Sequence, residues 1–280
     1  MSIEKAMKRK KWLRALILLT LFATVGFALE SDAAQNRSAP RSYLNSTASF
    51  IKAWAETLDR THMTDALPMN HHIQELVFRY VENYVAGKED SPAPSPVEVR
   101  RDLEISVFGE LKWPFEAMVR TFAHPWKGGH LLGVGYSLRW TDQNRFNAIG
   151  LFLIQEGKIS RVASANFVPG TDLSFDILPA RNPDQLLLLV SGIRKGKSHP
   201  RLSLMLYSFE GDELKPQWER QDIYGGKFRV DEGNLWITYL KEEEFIRETR
   251  YGRFPPRYEA LYSPQGSGFS LESDEVVSTP

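Results

Sequence analysis

The sequence predicts a mainly β protein: an antiparallel meander of blade-like units about 54 residues apart, preceded by a short N-terminal helical pair. Such a meander suits a small or incomplete β-propeller, with a β-sandwich or open barrel as the alternative. Three observations carry this. The hydrophobic period changes from helical to strand-like after Val97. Apolar or alternating runs of strand length then recur to residue 272, separated by turn residues. Similar runs end in a glycine turn at Gly157, Gly211 and Gly266.

In chain order, Lys8, Arg9, Lys10, Lys11 and Arg14 stand before an uncharged run of 15 residues from Ala15 to Leu29. A basic then apolar start, followed by the small residues Ser31 and Ala33, has the form of a signal peptide cut before Ala34. A membrane-spanning helix needs about 20 apolar residues, so residues 1–33 are expected to be removed; the alternative is an anchor over residues 12–29. Either way the chain is expected to be extracytoplasmic, secreted or membrane-anchored. The sequence has no cysteine, which closes the lipoprotein route and excludes disulfides, thiolate metal sites and a cysteine nucleophile.

Residues 34–45 are polar and without period, and are expected to form a flexible tether. Over 46–87, Phe50, Ile51, Trp54 and Leu58 recur at helical spacing, then Ile73, Leu76, Val77, Tyr80, Val81 and Tyr84 form a longer apolar stripe. Gly87 stops it. Pro92, Pro94 and Pro96 mark residues 88–97 as an extended linker, which makes the helices separable. Residues 98–272 form the β-rich repeat domain and 273–280 a tail. Its first strand is expected where Leu103, Ile105 and Val107 alternate with polar residues, and a fainter fourth copy of the repeat at Gly109.

Charge is balanced, with 35 Lys/Arg against 35 Asp/Glu. Six of those bases but only three of the acids precede residue 34, so the remainder is slightly acidic. This gives no basis for nucleic acid or an anionic membrane surface as a partner; membrane contact is expected only through an uncleaved N-terminal segment.

No motif commits the chain to catalysis or to a cofactor. Gly192, Gly196, Lys197 and Ser198 imitate a phosphate-binding loop, but only three residues separate the glycines and Pro200 leads into a strand, so a basic hairpin loop is expected. Gly133 and Gly135 lack the third glycine of a dinucleotide turn. The six histidines include no i, i+4 pair, and no metal is expected. Asp102 and Glu104 would share a strand face, as a solvated pair rather than a glycosidase pair.

The strongest candidate for ligand binding is Arg247, Arg250, Arg253 and Arg257 interleaved with Tyr251, Phe254 and Tyr258. Arginine offers a planar fork for anions, and aromatic rings offer faces for sugars. Trp113 and Trp126, beside prolines near turns, are candidates for exposed stacking, whereas Trp140 and Trp236 are expected in the core. The function expected is that of an exported cell-envelope protein, a non-catalytic binding or scaffolding module for an envelope component or another envelope protein. The alternative is an extracytoplasmic hydrolase acting on cell-wall or polysaccharide material.

Overall fold

The computed structural model describes residues 41–58, 63–88, 93–109, 116–139, 145–166, 171–180, 182–194 and 199–278. Helices α1 (Arg41–Leu58), α2 (Met63–Ala86) and α3 (Pro96–Asp102) come first, and α3 continues into a π-helical turn, Leu103–Val107. Twelve strands follow: β1 (Glu116–Trp126), β2 (Gly129–Arg139), β3 (Arg145–Gln155), β4 (Lys158–Asn166), β5 (Thr171–Leu178), β6 (Leu186–Arg194), β7 (Arg201–Phe209), β8 (Leu214–Tyr224), β9 (Lys227–Asp231), β10 (Asn234–Tyr239), β11 (Arg257–Gln265) and β12 (Gly268–Ser278). Helix α4 (Glu242–Arg250) lies between β10 and β11. The protein is mainly β, in three antiparallel four-stranded sheets, β1–β4, β5–β8 and β9–β12, each in sequence order. None closes into a barrel.

The sheets and helices stack as layers sharing three cores. On α2, Ile73, Val77, Phe78 and Val81 lie fully buried against Leu132, Val134, Tyr136 and Phe152 of the first sheet, with Ile51 of α1. Arg161 of β4 clamps this layer, donating to both oxygens of Glu75 at 2.8 and 2.7 Å while its guanidinium covers Phe78. The other face of the first sheet (Leu131, Ile149, Leu151) packs on Leu186, Leu188 and Val190 of the second. The second sheet's far face (Leu187, Leu189, Leu204, Leu206) packs on Leu235, Ile237, Ala260 and Tyr262 of the third. The apolar run in β6 is therefore buried on both faces, as a central strand between two layers should be. A shared core replaces the separability expected of the helices.

Residues 96–107 correct the sequence reading. The linker over 88–97 does not run extended to its end: Ser95 accepts from the Glu98 amide, Glu98 accepts from the Ser95 amide, and Pro96 takes the first helical position. That is a reciprocal capping box. Residues 89–92 lie outside the described ones. The strand expected at 103–107 is helical because Val99, Leu103 and Val107 also recur every four residues. All three are buried, whereas Ile105 is 60% exposed. Asp102 and Glu104 consequently share no strand face. Asp102 accepts from Tyr80 at 2.7 Å and from Ser106 at 3.2 Å, and Glu104 pairs with Arg100 within the helix.

Gly157, Gly211 and Gly266, all at positive φ, each stand between the third and fourth strands of successive sheets. Gly109 does not share this place, since it follows the π-helical turn; the fourth copy falls. The tail over 273–280 is also corrected, because β12 runs to Ser278 and pairs with β11. Gly133 and Gly135 have a packing role: a Cβ would stand 2.1 Å from the Phe122 ring at the first and 2.2 Å from the Phe175 ring at the second.

In each sheet the first-to-second and third-to-fourth turns lie on one edge. The second-to-third connections and the passages between sheets lie on the other, which we call the loop edge. Helix α4 is one of these connections. Among the described residues no helix is long and apolar enough to cross a membrane, and the run Ala15–Leu29 lies outside them.

Candidate functional site

At the loop edge, between the second and third sheets, the β7–β8 ladder is interrupted. Leu202 pairs with Ile223 and Leu204 with Arg220, so Gln221 and Asp222 together oppose Ser203. This is a β-bulge, a device that bends a strand and re-aims side chains. Asp222 adopts φ 56, a left-handed conformation unfavourable for a residue with a Cβ. Lys127, Glu156 and Glu232 are also left-handed, but each precedes a glycine in a hairpin turn. Asp222 is the one such residue within a strand among the described residues, and Arg194 of β6 holds it by donating to its carboxylate at 2.5 Å.

The bulge opens a recess of about 180 Å³ whose polar lining comes from Arg220, Gln221, Asp222, Tyr224, Tyr239 and Glu242. Helix α4 builds one wall. Arg201 donates to Glu242 at 2.6 Å and lies over the Tyr224 ring. Phe245 packs against His199 and Tyr224, with ring centroids 4.6 and 5.5 Å apart. Tyr239 donates to Asp274 of β12 at 2.7–2.8 Å and lies beside Tyr258, which donates to Glu244 at 2.7 Å and carries the Lys241 ammonium over its ring.

Burial, and then the hydrogen bond to Asp274, push the Tyr239 phenol far above its ordinary value. The Glu244 bond, with burial, raises Tyr258. Both phenols therefore remain protonated donors at neutral pH. Asp222 and Glu242 are each occupied by an arginine. Arg220 forms no ion pair among the described residues, and its guanidinium lies over the Tyr262 ring.

The residues singled out in the sequence are divided by the structure. Helix α4 runs through Arg250 and lies at the loop edge, but none of Arg247, Arg250, Tyr251, Arg253 and Arg257 lines the recess. Arg247 and Arg253 are both spent on Glu248, at 2.8 and 2.7 Å. Tyr251 falls past the helix end, 68% exposed, with Arg253 over its ring. Arg250 and Arg257 are exposed and make no ion pair among the described residues.

Trp126 is corrected: it is 6% exposed, packed on Phe209 at 5.4 Å, because the end of β1 turns its side chain toward the second sheet. Trp113, Trp140 and Lys197 lie outside the described residues. Trp236 is on the outer face of the third sheet, half-buried under Arg229 at 4.6 Å, rather than in the core. Among the described residues no group of three His, Cys, Asp or Glu is placed to hold a metal ion.

The recess residues Arg220, Gln221, Asp222, Tyr224 and Tyr239 were not legible as a site. Their one local signal is Gly225-Gly226 after a polar run that does not alternate. No protein-family model matches the sequence, and no curated protein matches it.

Proposed function

We propose that this chain is an exported cell-envelope protein that binds a partner without catalysing a reaction, and that binding takes place at the loop edge of the second and third sheets. The observation supporting this is the bulged recess, where a strained aspartate within a strand aims polar groups into a concavity also walled by aromatic rings. Glycoside hydrolysis needs one carboxyl free to give a proton and a second to act as base or nucleophile. Here Asp222 and Glu242 are each held by an arginine, which favours binding over a hydrolase acting on wall polysaccharide. Three four-stranded meanders stacked face to face are blade-like. We read the architecture as an incomplete propeller of about 54-residue units, ended on one side by the helices.

Purified protein incubated with envelope fractions of its native host should be retained, and Gln221→Ala with Tyr239→Phe should release it while keeping a cooperative unfolding transition. Release of soluble sugar fragments by the wild type but not by Asp222→Asn would overturn this in favour of the hydrolase. Export is tested by amino-terminal sequencing from the host. A first residue of Ala34 supports cleavage, and a chain starting at Met1 in the membrane fraction refutes it.

A further inference from the structure

We propose that the recess takes a single sugar residue carrying one carboxylate, with Arg220 as the partner of that anion; this rests on the binding reading above. The recess, at about 180 Å³, far exceeds the ~10–15 Å³ that one water needs, yet it is closed on one side by α4 and suits one ring rather than a polymer segment. Its lining is that of a hydroxyl reader. The Gln221 side-chain amide gives one N–H to Glu219 at 3.0 Å and keeps its carbonyl and second N–H, and the carboxylates of Asp222 and Glu242 keep lone pairs beyond those used by Arg194 and Arg201. Adjacent sugar hydroxyls are satisfied by such planar groups, while the half-buried ring of Tyr239 lines the recess as an apolar surface for the C–H side of a pyranose.

Charge selects among sugars. Arg194 and Arg201 are each neutralised by a recess carboxylate, whereas Arg220, which rests over the Tyr262 ring and hydrogen-bonds that tyrosine, is the guanidinium of the lining that no carboxylate neutralises among the described residues. A planar carboxylate meets a guanidinium through two parallel hydrogen bonds. A phosphate dianion would bring a second negative charge against Asp222 and Glu242, with no further cation in the lining to offset it.

The test is a titration of the ¹⁵N-labelled protein with D-glucuronate, D-glucose and D-glucose 6-phosphate, followed by amide chemical shifts. Glucuronate should move the amides of Gln221, Asp222 and Leu240 together and bind more tightly than glucose by about tenfold, the order of one charge-assisted pair. Glucose 6-phosphate should be no better than glucose. Arg220→Gln should bring glucuronate down to the level of glucose, and Arg220→Lys should fall between, with the cooperative unfolding transition kept in both.

Equal affinity for glucuronate and glucose, a preference unmoved by Arg220→Gln, or shifts centred elsewhere would each overturn the proposal. If these occur while envelope fractions still retain the wild type and release Gln221→Ala with Tyr239→Phe, the acidic sugar is wrong and the binding edge stands. If retention is also absent, both fall.

Discussion

Gly135→Ala is the sharpest test of how the first two sheets meet. An alanine Cβ there would stand 2.2 Å from Cζ of Phe175, itself 5.7 Å centroid to centroid from Phe122. Carbon atoms in contact rest about 3.5–4.0 Å apart, so the ring must move by more than 1 Å. β2 is buried on both faces, which leaves the strand little freedom to yield, and overpacking of this kind costs about 1–3 kcal/mol. Against that, Gly→Ala restricts the unfolded chain and returns about 0.4–1 kcal/mol. The net expectation is a loss of about 1–2 kcal/mol, or roughly 2–8 °C in melting temperature for a chain of this size. Urea unfolding followed by tryptophan fluorescence measures it. Phe175→Leu removes the far end of the ring, so the double variant should be less destabilised than the sum of the singles by about 1 kcal/mol. A neutral or stabilising Gly135→Ala, or strict additivity with Phe175→Leu, would refute the close approach of ring and strand.

Leu103→Ala should cost about 2–4 kcal/mol in chemical denaturation and Ile105→Ala well under ~1 kcal/mol; equal losses would restore the strand at 103–107. A double-mutant cycle of Glu75→Ala with Arg161→Ala should give a coupling on the order of 1 kcal/mol, since the pair is bidentate yet partly exposed. No coupling would mean that α2 is held by apolar packing alone. Glu82 is raised above the ordinary carboxylate range by burial, against the opposing pull of Arg161 and Arg79. The folded state thus keeps a proton the unfolded chain releases, and stability from this group falls as pH rises from the ordinary glutamate value of about 4.3 through the raised one. Glu82→Gln should flatten the dependence of the urea midpoint on pH above the ordinary glutamate value. A variant less stable than wild type only at the upper end would reverse the sign and refute it.

The sequence by itself determined where local pattern and fold agree. The stripe Ile73, Val77, Val81 lies on a buried helix face, the apolar run of β6 is a central strand, and Gly157, Gly211 and Gly266 turn the third strand of each sheet into the fourth. These follow from periods of 3.6 and 2 and from glycine's access to positive φ. Where one pattern satisfies two periods, tertiary contact decided: Leu103 and Val107 are two apart from Ile105 and four apart from each other, and only packing against the first sheet selects the helix.

The fate of Trp126 was likewise decided by the layer it faces. The segment that looked most chemical, Arg247 to Arg257, largely answers its own acid, Glu248. The recess was decided last, because the bulge at Gln221 and Asp222 exists only as a mismatch of register between β7 and β8. Register is a relation between two strands, set by which residues of both must face a common core, and no window along one of them contains it.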